Sequence, residues 1–401
     1  MFDYIKIEGF RSFKSVELEM PRLAVLIGPN GGGKSNLIDL LMLMTEAARG
    51  ELAVGINRRG GFRDISFGLD ASSEVRIEFH FRDLPSQISQ SPPSPVPETP
   101  ERGSFDVRYK VALRGLGVNF CVWKEHLQEE PPNEMSLEID RERTQVVFSR
   151  HLESVPLFGQ RKSVEDIELA IFQVRDPEKY PEPWALLREF QGTTFYRDIY
   201  TGPDSPIRQP SLIRTGLRLL PNGSNLSSVL YSIQQDWPDH WHEVSEILKT
   251  AYPDFMRLTV PPGGGDGKVL LHWFERPFKR EGISANLLSD GTLKLLCMIA
   301  ILKTPDPPPL ICIDEPELGL HPDWIKLVAE LLQDAASRTQ VIVATHSPQI
   351  VAKLDPEQVI IAEKVDGESH LKRLNKPDLE QWLKDFNLSE LWLAGHLGGR
   401  P

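Results

Sequence analysis

The sequence predicts an α/β fold: a parallel-sheet core built around a phosphate-binding loop, an antiparallel β-subdomain and an inserted helical lobe. The first observation is Gly28-Pro29-Asn30-Gly31-Gly32-Gly33-Lys34-Ser35, which fits G-x-x-x-x-G-K-[ST]. It stands between an apolar run at 22–27 that reads as a buried strand and a helical run at 36–44. The second is Leu310-Ile311-Cys312-Ile313-Asp314-Glu315, an apolar strand ending in two carboxylates and kept from helix by Pro307-Pro308-Pro309. The third is the distance between the two. A core holding both must be discontinuous, with the middle of the chain inserted as strands and then helices.

In chain order, residues 1–20 alternate polar and apolar on both sides of Gly9, which predicts a strand pair wet on one face. Arg58-Arg59-Gly60-Gly61-Phe62 reads as a loop, and segments at 74–81, 105–113, 119–123 and 135–148 read as an antiparallel meander. Residues 84–104, with Ser91-Pro92-Pro93-Ser94-Pro95 inside, have a composition that predicts an exposed, mobile loop. Helical patterns follow at 164–172, 184–190, 224–235 and 242–251, and a strand returns at 269–274. Leu288-Ser289-Asp290-Gly291-Thr292 opens a strongly apolar helix with Ser289 as its N-cap. A second buried strand, 340–344, leads into Thr345-His346-Ser347-Pro348; strands at 358–362 and 371–374 and a helix at 379–386 complete the pattern. There is no internal repeat and no sustained heptad. The expected divisions are 1–175, carrying the loop and the antiparallel sheet; 176–294, a helical lobe; and 295–401, the second part of the core.

Composition narrows the functional classes. At 401 residues, 40% hydrophobic and 25% charged, the chain reads as globular, and its apolar runs fall short of the roughly 20 residues of a membrane span. Met1-Phe2-Asp3-Tyr4-Ile5-Lys6 lacks the pattern of a secretory signal, so a cytoplasmic location is expected. A net charge of −12 argues against a coat for non-specific nucleic-acid binding. Arg58-Arg59 with Arg63, and Arg276 with Lys279-Arg280, read as solvated faces rather than a basic groove. Cys121, Cys297 and Cys312 lie in apolar or strand-like runs and are expected to be packing residues.

The motifs carry a specific chemistry. The glycines of the loop let successive backbone N–H groups turn toward a polyphosphate, with the helix N-terminus behind them adding partial positive charge. Asn30, Gly31, Gly32, Gly33 and Asn36 belong to this cradle; Lys34 would reach the β and γ phosphates and Ser35 would ligate Mg²⁺. Asp314 is the metal-side acid of the second strand, and Glu315 is placed to polarise an attacking water. His346, after a strand at the edge of such a sheet, stands where a γ-phosphate contact would lie. ATP and Mg²⁺ are the implied cofactors.

In their order, these motifs resemble the head domain of the ABC-type ATPases, in the branch that contains the SMC, RecF and OLD proteins. Phe10-Arg11-Ser12-Phe13, Leu288-Ser289-Asp290-Gly291-Thr292, Asp314-Glu315-Pro316-Glu317-Leu318-Gly319-Leu320-His321-Pro322 and Thr345-His346-Ser347 look like the predicted ATPases grouped with OLD. The resemblance implies a P-loop NTPase that pairs head to head, in which Ser289 and Gly291 of one subunit meet the γ-phosphate held by Lys34 of another. It further implies that Glu317 to His321 cross the dimer interface, that His346 is the switch histidine and that Arg11 lies near the nucleotide. Gln173 is the candidate for the glutamine that senses Mg²⁺. Asp290 and Thr292 depart from transporter subunits, which have glycine and glutamine there, and a carboxylate near the γ-phosphate repels unless it is paired or turned away. About 250 residues without heptads between loop and signature exclude the long coiled coil of SMC proteins.

The leading function is an ATP-driven switch, a homodimer or higher homo-oligomer through its ATP sites, acting in DNA repair or defence against foreign DNA. The alternatives are the ATPase subunit of a transporter and a scaffold that binds nucleotide without hydrolysing it. The candidate partners are an effector in trans, such as a nuclease, and DNA itself; no membrane is implied. In OLD nucleases a Toprim domain follows the ATPase, whereas 55 residues follow His346 here, and the apolar segment 388–399 either docks the effector or packs on its own sheet. The purified chain is therefore expected to leave DNA intact with any metal or nucleotide. Cleavage by a homogeneous preparation that disappears in Asp314→Ala would overturn this.

Overall fold

Alternation at the start of the chain produces a sheet. In the structure, a computed structural model, all residues are described except 86–103, 131–136, 153–154, 164, 215–217, 264–265, 279 and 400–401. Most of the loop expected at 84–104 lies outside the described residues. The chain divides into two compact units, one of 1–193, 356–381 and 391–401 and the other of 194–355 and 382–390.

In the first unit Phe2–Phe10 and Phe13–Glu19 pair antiparallel, with Tyr4 opposite Glu19 and Phe10 opposite Phe13. Phe2–Phe10 also pairs with Glu74–Pro85, and the meander continues through Ser104–Leu116, Asn119–Glu129, Leu137–Glu142, Gln145–Leu152 and Val155–Ser163. The single run expected at 135–148 becomes two strands because Arg143 turns in the left-handed region at φ 55°. One face is apolar. Phe79 and Phe81 meet Phe190 of helix Pro181–Gly192 with ring centroids 5.3 and 5.5 Å apart, in edge-on geometry. The other face carries exposed ion pairs such as Lys6 with Glu17 at 2.7 Å, which contribute little to stability.

The same unit holds the strand ahead of the phosphate loop. Leu23–Ile27 is buried throughout and runs parallel to Val359–Val365, with Val25 opposite Val359; such a continuous apolar run suits a strand covered on both faces. Val359–Val365 turns back through Asp366-Gly367 into Glu368–Arg373. Trp392 is fully buried and its indole N–H donates to Gly399 O at 2.6 Å, while Gly399 N–H donates to Glu363. Of the two expectations for 388–399, packing on its own sheet is what Leu391 onward does.

The second unit has three parallel strands, Thr194–Tyr196, Leu310–Asp314 and Gln340–Ala344. Helices Leu226–Asp236, Pro238–Ala251, Asp290–Leu302 and Pro322–Arg338 accompany them. The strand expected at 269–274 is split between two small sheets. Lys268–Val269 pairs with Ser211–Leu212 and His272–Glu275 with Phe255–Thr259, while Leu271 N–H between them goes to Ser227 Oγ. All three cysteines are buried, and burial pushes the thiols of Cys297 and Cys312 well up, so they stay protonated.

Two expected helices are corrected. Residues 165–173 form turns and the 3₁₀ segment Ala170–Gln173, because side chains claim the backbone groups a helix needs. The buried carboxylate of Glu125 accepts from Ala170 N–H and Ile171 N–H, and Arg141 donates to the carbonyls of Glu165 and Glu168. The helix expected at 379–386 is two single turns, Lys376–Leu379 and Trp382–Lys384. Trp382 and Phe386 remain 46% and 47% exposed, so no buried face supports a longer helix.

Glu125 also accepts from Tyr109 OH at 2.9 Å and pairs with Arg141 at 3.3 Å, both carboxylate and guanidinium being fully buried. Glu125→Ala leaves Arg141 uncompensated and is expected to lower stability by about 3–5 kcal/mol in chemical denaturation. A Glu125→Leu, Arg141→Met double variant is expected to lose less than Glu125→Ala alone.

Candidate functional site

The phosphate loop is shaped by what its glycines touch. A Cβ on Gly28, at φ 138°, would stand 2.1 Å from Ala362 O, so the loop is pressed against strand Val359–Val365 in a way only glycine permits. Gly33, at φ 111°, precedes helix Lys34–Ala48, and no described side chain caps the helix there. The start of a helix behind such a loop carries partial positive charge that suits an anion. Behind the loop, a Cβ on Gly399 would come within 3.3 Å of Gly28 Cα. Lys34 is 6% exposed and curls back, donating Nζ to Gly28 O at 2.7 Å and Pro29 O at 3.0 Å. Gly31 and Ser35 are exposed. This arrangement fits a polyphosphate, whose oxygens would replace the loop carbonyls as acceptors for Lys34.

The start of the helix is tied to the first hairpin. Asn36 Nδ2 donates to Ser12 Oγ at 2.7 Å, Asn36 Oδ1 accepts from Arg11 Nη1 at 3.3 Å, and Ser369 Oγ lies 2.7 Å from Ser12 Oγ. Arg11 itself sits in the left-handed region at φ 49° and pairs with Asp39 at 2.8 Å. The buried Arg59 shares Asp39 at 3.0 Å and holds Glu46 as well. Arg11 is thereby placed beside the loop helix. An open hollow adjoins it, lined by Arg11, Ser12, Phe67, Leu69, Lys364 and Asp366.

In the second unit the carboxylate pair ends its strand. Asp314 lies opposite Ala344, and Glu315 N–H continues the ladder to Ala344 O at 2.8 Å. Glu315 then takes φ 51°, a left-handed conformation rare for a residue other than glycine, and is exposed. Past this turn Glu317 folds inward. Its Oε1 accepts from Thr345 Oγ1 at 2.7 Å and from His346 N–H at 2.9 Å, while Oε2 is buried without a hydrogen-bond partner among the described residues. His346 is half-buried and held through its backbone by this carboxylate. His321 Nδ1 accepts from Asp323 N–H and caps helix Pro322–Arg338.

The signature forms as its sequence predicts. Ser289 caps Asp290–Leu302, accepting Thr292 N–H at 3.1 Å, and lies 2.8 Å from Thr292 Oγ1. Gly291 faces Gly319 O, which a Cβ would approach to 3.2 Å, and Lys294 Nζ donates to Leu318 O at 3.0 Å. The Asp290 carboxylate is paired with Arg208 at 2.6 Å.

Gln173 is not brought to the phosphate loop. It is exposed and donates to Glu168 Oε2 at 3.0 Å. Its neighbour Phe172 packs on Gly50, past the far end of the loop helix, which is about 22 Å long. Three residues outside the expected set belong with the second unit's motifs. Tyr196 pairs with Ile313, so Arg197 and Asp198 emerge level with Asp314, and with Lys294 they line a small pocket beside Glu315. A strand of three residues is too short for periodicity to announce it; the pairing that places it is visible only in the fold.

Known proteins agree with this picture. A putative ABC transporter ATP-binding protein of Methanosarcina acetivorans is 33% identical over 106 residues, 26% of this chain and 36% of that one. A retron Vc95 probable ATPase of Vibrio cholerae is 31% identical over 81 residues, 20% of this chain and 16% of that one. The chain thus spans well under half the length of these curated relatives. Two solved structures share the fold across 96% of the chain, each with a TM-score of 0.53: an SMC head bound to the C-terminal winged-helix domain of ScpA, at 15% identity and 99% of its length, and an SMC head with an extended coiled coil from Pyrococcus furiosus, at 12% and 98%. The fold is that of an ABC-type ATPase head of the SMC and RecF kind, and, with the family profile matching residues 23–352, the chain belongs to the AAA-domain family described as putative AbiEii toxin, type IV TA system.

Proposed function

We propose that the chain is an ATP-hydrolysing switch whose heads pair around nucleotide and whose changing arrangement is passed to a partner in DNA repair or in defence against foreign DNA. The observation that carries the reading is the phosphate loop, whose helix start is uncapped and whose Lys34 rests on carbonyls that a triphosphate would displace. Arg11, Asn30, Gly31, Gly32, Gly33 and Asn36 complete the nucleotide cradle, and Ser35 and Asp314 would hold Mg²⁺, which supplies charge neutralisation for the phosphates.

Glu315 accepts a proton from the water that attacks the γ-phosphorus. As the new P–O bond forms, the bond to the β-phosphate oxygen breaks and ADP leaves. His346, fixed by Glu317, contacts the γ-phosphate, and Ser289 and Gly291 of the second copy close the site with the N-terminus of their helix. The ATPase part of the reading is supported by the AAA domain of the family description and by the retron probable ATPase among the relatives; the repair or defence role rests on the sequence resemblance. A transporter subunit is the second reading, favoured by the name of the archaeal relative. Asp290 and Thr292 in the signature weigh against it.

Lys34→Ala is expected to weaken ATP binding, and Glu315→Gln to leave binding near wild type while lowering kcat by about 10²–10⁴-fold. Turnover by Glu315→Gln at the wild-type rate would remove the base assignment and leave a different group to activate the water.

Pairing makes a separate prediction. Lys34→Ala and Ser289→Arg chains, each inactive alone, are expected to regain activity when mixed, since one composite site is then intact. Full turnover by a monomer at high dilution would refute pairing.

A further inference from the structure

Arg208 closes the 3₁₀ turn Pro206–Arg208, which begins at the buried Ser205. The residue is 7% exposed. Its Nε donates to Thr201 O at 2.8 Å and Gly202 O at 3.0 Å, and its Nη1 to Leu288 O at 2.7 Å, Asn286 O at 3.1 Å and Ala285 O at 3.4 Å. The remaining Nη2 meets Asp290 Oδ1 at 2.6 Å. One guanidinium therefore collects three carbonyls from the chain leading into the signature and ends on the signature's own carboxylate. Asp290 is exposed on its other side, with 63% of its side chain open to water.

Two physical consequences follow. A planar fork with five N–H donors can reach five carbonyls and a carboxylate together by sharing the hydrogens of Nε and Nη1, whereas an ammonium has three donors and no fixed plane. The backbone from Ala285 to Leu288 is thus held by Arg208 in the path that delivers Ser289 to its capping position. The second is electrostatic. An isolated carboxylate on the first turn of a helix would offset the positive end of that helix and repel a phosphate, while one bonded to a buried guanidinium contributes almost no net charge.

We propose that Arg208 is the positioning residue of the signature. It fixes the segment before Ser289 and neutralises Asp290, so that the triphosphate held by a second copy can approach Ser289 and Gly291. The proposal rests on the pairing described under Proposed function.

The test uses the full chain carrying Glu315→Gln, which accumulates the ATP-bound form. ATP-dependent pairing is measured by sedimentation velocity over a protein dilution series with Mg²⁺. The affinity of the unpaired chain for a fluorescent ATP analogue and the melting temperature are recorded for each variant. Arg208→Lys is expected to weaken pairing about tenfold or more at unchanged nucleotide affinity, because a compact ammonium drawn to the carbonyls of Thr201, Gly202 and Leu288 cannot also reach Asp290. Asp290→Asn is expected to strengthen pairing severalfold, and added to Arg208→Lys it is expected to restore most of the loss. Pairing weakened by Asp290→Asn, or a double variant no better than Arg208→Lys, would overturn the proposal and leave head pairing standing. Should Arg208→Lys fail to fold, the direction of the Asp290→Asn effect decides alone. Absence of ATP-dependent pairing in the Glu315→Gln parent would overturn both.

Discussion

Taking a charged side chain out of water costs several kcal/mol unless its hydrogen-bonding positions are filled, and the functional loops of this protein are built around side chains under that demand. Asp39 is shared by Arg11 and Arg59, which sets the hairpin residue Arg11 against the start of the loop helix. Glu317 uses one oxygen to hold both Thr345 and His346. Glu125 draws in the turn at Ala170-Ile171. In each case one carboxylate helps to hold a turn or loop in a fixed place. That makes these positions intolerant of neutral substitution although none of them needs to touch a ligand.

The starts of the helices divide by the same accounting. Ser289, His321 and Ser347 each satisfy a backbone donor of the helix they precede. Helix Lys34–Ala48 begins without such a group. Helices Pro181–Gly192, Leu226–Asp236 and Pro238–Ala251 also start without one; a cap contributes about 1 kcal/mol, and behind the phosphate loop a bound anion can take that role. Glu315 in the left-handed region is a comparable case, costing about 1–2 kcal/mol while placing its carboxylate at the open end of the strand.

Much of the site was legible because its chemistry is a spacing. Glycines, a lysine and a serine at fixed intervals, or two acids after an apolar run, announce a phosphate loop and a metal-side strand wherever the flanking patterns agree. The Ser289 cap and the position of His346 followed from neighbours in sequence in the same way. What was hidden depends on partners far along the chain. Arg208 and Asp290 are 82 residues apart, and neither segment carries a pattern that names the other. The helical spacing at 164–172 was misleading because Glu125 and Arg141, from strands earlier in the chain, take the backbone groups on which the helix would depend. Gln173 was misplaced with it. The inward turn of the Glu317 side chain was also hidden, because its partners Thr345 and His346 lie 28 and 29 residues on.

Gly399 passes so close behind Gly28 that a Cβ on it would meet Gly28 Cα at 3.3 Å, which gives the phosphate loop a mechanical backstop. Trp392, anchored in the core, holds the terminal segment in place, and the bond from Gly399 to Glu363 fastens its end to the strand on which the loop already leans. A loop supported on its rear side can yield only toward its open side, where Gly31 and Ser35 face solvent. The last turn of chain thus acts like the stop behind a hinge. It removes one direction of travel and leaves the other to the ligand.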